Sequence, residues 1–371
     1  MARVLKAVVV LALVGVFGCG DGSEEPDADV ELGRSYASDA AFRRGVLEGS
    51  LVNPDNGYSE LRLARYTEDQ WGQLPVWAPG EFAEVDAVPW EREALLALGR
   101  RAFFRYPMQL VPALEHGLAD PDAYGVHTGL VRVERAGGDG PVGLACAGCH
   151  SVEREGATVA GLNNADFDLH GMVLAARGLP RGPSWWGPGR VDVTADGVDN
   201  PVAIPDLRPV RYQTHLHRAA TVRNGLIELS IRTETLIITA MGENHRPPRK
   251  LAFALALYLW NLAPAPPTVR PAVFDRTCGG CHGSEGLSGP PVVLARVGTR
   301  DAVARSAART TGMWRVPSLV GVGDRRRLTA TGDIHDVAHM LADDRNVPGH
   351  VFGQRLAPRE KRALLGFLET L

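Results

Sequence analysis

Cys146-Ala147-Gly148-Cys149-His150 and, 132 positions later, Cys278-Gly279-Gly280-Cys281-His282 carry the reading of this chain. In a CxxCH turn the two thiols add to the vinyl groups of one porphyrin, and the histidine that follows is brought beneath the iron as proximal ligand. With 5 cysteines and 11 histidines in 371 residues, the chance expectation for such a string is about 0.002, too low for two to be coincidence. The competing use of CxxC is zinc. A zinc ribbon takes cysteines four at a time, whereas these pairs are far apart and each is closed by histidine. The expectation is therefore two covalently bound haem c groups, with Cys146, Cys149 and His150 on the first and Cys278, Cys281 and His282 on the second.

The rest of the chain sets the compartment. Arg3 and Lys6 precede an apolar run over residues 7–17 and the pair Gly18-Cys19, the pattern of an export signal (1–18) ending at a lipoprotein cleavage site. Eleven apolar residues fall well short of the ~20 that span a bilayer, so the membrane partner is reached through a lipid on Cys19. Asp21 does not occupy the position adjacent to Cys19 that is associated with inner-membrane retention, which favours an outer-membrane lipoprotein facing the periplasm or the surface. A soluble periplasmic protein is the alternative. Residues 19–30 are acidic, small and polar, as in a flexible tether. Once Cys19 is lipidated and four cysteines hold haem, none is left for a disulfide. A net charge of −3 gives no broad basic surface, and no nucleic-acid partner is expected.

Periodicity organises what lies between. Apolar residues recur at helical spacing over 91–104 (Leu95, Leu98, Ala102), over 248–262 (Leu251, Leu255, Tyr258, Leu259, Leu262) and over 358–371 (Leu364, Leu365, Leu368, Leu371). Four prolines within 264–271 exclude helix and make an extended linker. The fold expected is mainly α: an N-terminal extension (31–132), then two tandem cytochrome c-like haem domains, 133–263 and 272–371, each running from CxxCH to a closing helix. A repeat supports this, because Ile204-Pro205-Asp206-Leu207 in the first unit stands where Val316-Pro317-Ser318-Leu319 stands in the second.

Leu98-Gly99-Arg100-Arg101-Ala102-Phe103-Phe104, the Ala145-Cys146-Ala147-Gly148-Cys149-His150 motif, the helix through Leu251 to Trp260 and Trp314-Arg315-Val316-Pro317-Ser318-Leu319 together resemble the bacterial di-haem cytochrome c peroxidase superfamily over most of residues 94–371. The resemblance implies one-electron chemistry with redox partner proteins, and a small peroxide as the substrate of any enzyme activity. Two departures separate family from activity. Where the family reads PY(L/F)HDG this chain has Arg327-Leu328-Thr329-Ala330-Thr331-Gly332, and the first unit has no Glu-Met pair of the kind associated with peroxide cleavage. The function expected is single-electron transfer in the cell envelope, with no catalytic residue assigned. The alternative is a di-haem peroxidase or oxygenase in which haem 1 reacts and haem 2 supplies electrons.

The sixth ligand decides between these, since a thioether makes a high-potential carrier and an open position admits peroxide or oxygen. Met340, shortly before the last helix, is the first choice for haem 2, with His339, His335 and Met313 as rivals. For haem 1 two assignments stand side by side. The family resemblance favours His170, the repeat favours Met241, and the pair His215 and His217 comes third. Trp185-Trp186 reads as a loop lock, or as an indole between the haems. Arg181, Arg190, Arg208 and Arg211 are candidate partners for haem carboxylates.

Overall fold

The computed structural model describes residues 27–52, 70–135, 138–192, 198–306, 309 and 311–371. The expected signal peptide and Cys19 lie outside the described residues. Helices of eight residues or more are α1 (Ala28–Ser38), α2 (Ala40–Ser50), α3 (Arg92–Arg105), α4 (Leu169–Ala176), α5 (Leu226–Ala240), α6 (Arg249–Trp260) and α7 (Pro358–Glu369). The chain starts folding earlier than its composition suggests. Asp27 caps α1 by accepting from the backbone N–H groups of Asp29 (2.9 Å) and Val30 (3.3 Å). Arg92 binds the same carboxylate at 3.0 Å. The expected tether to residue 30 is therefore corrected: residues 27–30 belong to the fold, and Val30 is buried.

The mainly helical expectation holds only in part, because strands contribute as well and the architecture is mixed α and β. β1 (Gln109–Leu110), β2 (Leu130–Arg135) and β3 (Gly138–Leu144) form one antiparallel sheet in the order β1-β3-β2. Four two-stranded ladders follow: β4 (Ser151–Arg154) with β5 (Ala157–Ala160), β6 (Arg190–Val191) with β7 (Val202–Ala203), β8 (His215–Leu216) with β9 (Val222–Arg223), and β10 (Gly289–Val293) with β11 (Met313–Val316). Strands this short carry too few alternations to be read from sequence.

α6 is the axis of the first half. Its residues from Lys250 to Leu257 are buried all round, which explains why it lacks a polar face. α3 lies against it with Leu95, Leu98, Ala102 and Phe103 turned inward, as its periodicity predicts. The two helices touch backbone to backbone at Gly99, where a Cβ would stand 2.0 Å from the Ala254 carbonyl oxygen. α1 and α2 close the same core from outside. Tyr36 donates to a Glu234 carboxylate oxygen at 2.6 Å, and Ser50 donates to Glu228 at 2.7 Å. The second half has a separate core of Phe274, Leu287, Ile334, Leu364 and Leu368, with α7 as its closing helix. Residues 264–271 run between the halves without helix, as their prolines require.

The halves are nonetheless sewn together through the segment after β7. Asp206, with its side chain 2% exposed, accepts from Arg208 at 2.9 Å and from Arg325 at 2.7 Å. Arg208 also reaches Asp324 at 2.8 Å, and Arg154 binds Asp324 from the other side. Backbone bonds from Ala203 N–H to the Ala330 carbonyl (2.9 Å) and from Arg315 N–H to the Arg218 carbonyl (2.8 Å) complete the seam.

Candidate haem sites

The first CxxCH forms a short helical turn, Cys146–His150, pinned on every side. Ala145 N–H donates to the Gly129 carbonyl at 2.7 Å, Asn164 N–H to the Cys149 carbonyl at 2.9 Å, and Gly161 N–H to the His150 carbonyl at 2.7 Å. Gly129, at φ +81°, comes so close that a Cβ there would stand 2.1 Å from the Gly148 nitrogen, so only glycine fits. In the second motif the turn is Gly279–His282, and Gly289 of β10 crosses it, with a would-be Cβ 2.1 Å from the Cys281 carbonyl oxygen.

Both histidines are oriented alike. His150 donates through Nδ1 to the Pro205 carbonyl at 2.9 Å, and His282 donates through Nδ1 to the Leu287 carbonyl at 3.1 Å. A ring fixed through Nδ1–H keeps its lone pair on Nε2, the tautomer an iron needs. Burial pushes each imidazole down to about 4, against weaker opposition from those carbonyls and, at His282, from the Pro317 carbonyl. Both rings are therefore neutral near pH 7. The two histidines differ in where the Nδ1 acceptor comes from: Pro205, 55 positions after His150, and Leu287, 5 positions after His282.

Burial also pushes the Cys146 and Cys149 thiols up to about 12 and Cys278 to about 11. Among the described residues no group of three or more His, Cys, Asp or Glu side chains is placed to hold a metal ion unaided.

Cys278, Cys281 and His282 line a cavity of about 470 Å³, within the range of sites that enclose cofactors. Val316, Leu319, Leu328, Val337 and Leu341 supply apolar wall, and Met340 lies in the same wall. Among the described residues seven arginines line it against one carboxylate, that of Asp206, which Arg208 and Arg325 already occupy. Arg315 is the sharpest imbalance. Its Nε is buried without a hydrogen-bond partner, as is the Trp314 Nε1 beside it. Burial, together with the guanidiniums of Arg218 and Arg325, pushes Arg315 down to about 9. The apolar wall, the unpartnered Arg315 nitrogen and the two cysteines fit a haem c, a flat apolar group with two carboxylates.

The other candidates sort cleanly. Met340 shares a cavity wall with His282. Of its rivals, His335 and His339 stack on each other at 5.4 Å, and Met313 pairs with Val293 across β10 and β11. None of the three lines the cavity. His350 does line it, with a buried Nδ1 lacking a partner. The sequence reading missed His350, and no local pattern marks it. In the first half His170, on α4, stacks face to face on Trp186 at 4.2 Å, while Met241 ends α5 and packs on the first core. The structure sets these two in unrelated surroundings. His215 and His217 bond locally to Thr214 and Thr221.

The arginines expected for haem carboxylates are mostly committed elsewhere. Arg208 holds Asp206 and Asp324, Arg190 holds the Thr331 and Gly332 carbonyls, Arg181 holds the Ala123 carbonyl, and Arg211 lies over Tyr212. Trp185 is 48% exposed.

No protein-family model matches the chain, and no curated protein or solved structure does. Among the described residues no helix is long and apolar enough to cross a membrane.

Proposed function

We propose that the chain is a two-haem c-type cytochrome that passes single electrons between redox partner proteins in the cell envelope, held at the outer membrane by a lipid on Cys19. In this reading the halves are tandem cytochrome c-like domains with an N-terminal extension. Cys146 and Cys149 would hold haem 1, Cys278 and Cys281 would hold haem 2, and His150 and His282 would each offer Nε2 to an iron. A bound haem supplies one-electron chemistry at its iron. The protein supplies orientation, a water-poor wall and charge.

One observation carries the reading: a CxxCH motif, its buried histidine, a methionine and an arginine whose Nε has no partner line one cavity. Met340 would supply a thioether to the iron, and haem 2 would then be a carrier, because a thioether raises potential and leaves no position open. The test is a redox titration of the haem-loaded chain followed by visible and electron paramagnetic resonance spectra. Two one-electron steps with low-spin haem throughout are expected. A high-spin signal at half-reduction would overturn the carrier reading and favour a peroxidase or oxygenase reacting at haem 1.

A further inference from the structure

Resting on that reading, we infer that Arg345 is the positioning residue for the Met340 thioether. Arg345 lies in the loop that follows the short helix Val337–Leu341. One guanidinium nitrogen, Nη1, donates to both the Met340 sulfur (3.2 Å) and the Met340 carbonyl (3.0 Å). The other, Nη2, donates to the Gly349 carbonyl and to the His350 carbonyl, the latter at 3.2 Å. The loop is thus wrapped around the guanidinium, whose two faces serve different masters.

The loop does not simply follow the side chain. His350 N–H donates to the Val297 carbonyl at 2.6 Å, and Gln354 donates to the Ala342 carbonyl at 2.9 Å. Gly349, at φ +78°, sits where a Cβ would stand 2.3 Å from the Gly298 carbonyl carbon. The guanidinium is therefore anchored independently of the sulfur it touches.

A thioether is a weak acceptor, and arginine ordinarily spends its N–H groups on carboxylates. Among the described residues no carboxylate pairs with Arg345, and the nearby Asp343 is taken by Lys361 at 2.6 Å. Two consequences follow from a cation bonded to this sulfur. Methionine has three rotatable bonds and wanders unless held. The bond uses one sulfur lone pair and fixes the side chain, which leaves the other lone pair for the cavity that Met340 lines. The positive charge also draws electron density from the sulfur, which disfavours an oxidised iron bound to it.

The test uses the full haem-loaded chain and reads the haem 2 potential together with the weak red absorbance that an oxidised haem shows only with a thioether ligand. Arg345→Gln should weaken that absorbance and shift the haem 2 equilibrium at least tenfold toward the oxidised form, about 59 mV for a one-electron couple. Arg345→Lys keeps the charge without the fork, and should shift it between twofold and tenfold, so it decides the matter if the Gln variant does not fold. A folded variant whose potential stays within twofold of the native value overturns the proposal. Met340→Leu should abolish the absorbance; if the absorbance survives, Met340 is not a ligand and the assignment of Arg345 falls with it. A chain that carries no covalent haem at all overturns the underlying reading instead.

Discussion

Asp206→Asn should cost about 3–5 kcal/mol of stability, read as a lower midpoint in urea unfolding at unchanged slope, because it removes one partner from a buried ion cluster and strands the others. The Asp206 side chain is 2% exposed, and those of Arg208 and Arg325 are 11% and 10% exposed. Arg325 would remain in a low-dielectric seam without its carboxylate, and Arg208 would keep only Asp324. Asp324, with its side chain 45% exposed, is the internal control: Asp324→Asn should cost no more than about 1 kcal/mol, since water screens that pair. Equal losses from the two variants would contradict the account of the seam. The consequence reaches the first site, because Asp206 follows Pro205, whose carbonyl holds His150. The haem 1 spectrum should therefore change in Asp206→Asn, and that of haem 2 with it, since Asp206 and Arg325 also line the cavity that holds His282.

Arg315→Gln should lower the potential of haem 2 by about 59 mV, a tenfold shift of a one-electron equilibrium, and leave haem 1 within a third of that. The Arg315 guanidinium lines the cavity with its Nε unpartnered, and burial and two neighbouring guanidiniums push it down to about 9. Its charge is the term that a haem carboxylate would satisfy. Once the charge is gone, the reduced iron loses a favourable field and the carboxylates lose a donor, and both effects favour oxidation. Arg315→Lys retains the charge and should restore most of the shift. Spectroelectrochemistry resolves the two haems if their potentials differ. An equal shift at both centres, or none at haem 2, would show that Arg315 does not face the group held by Cys278 and Cys281.

What was legible in the sequence was what chemistry forces into local spacing. The CxxCH turns, the helices around Leu98, Leu255 and Leu364, and the proline linker all follow from the periods and valences of neighbouring residues. Met340 was chosen for its place shortly before the last helix, and it lines the cavity with His282; Pro205 was visible in the repeat before its carbonyl was seen beside His150. Contacts between distant residues were not legible. The pairing of Asp206 with Arg325 joins residues 119 positions apart, and nothing in either neighbourhood announces it. For the same reason Arg208 looked free for a haem carboxylate when it was already spent on Asp206 and Asp324. Arg315 and His350 reach the second cavity through the path of the chain around it. The early start of α1 at Ala28 turns on Asp27 finding Arg92, again a long-range contact.

The most direct test of the whole account is the intact mass of the denatured chain after expression with a haem-attachment system in an export-competent host. The expected mass is that of the processed polypeptide plus two haems, falling by one haem in Cys146→Ser/Cys149→Ser and by one in Cys278→Ser/Cys281→Ser. The bare polypeptide mass, with haem absent or lost on denaturation, would contradict it.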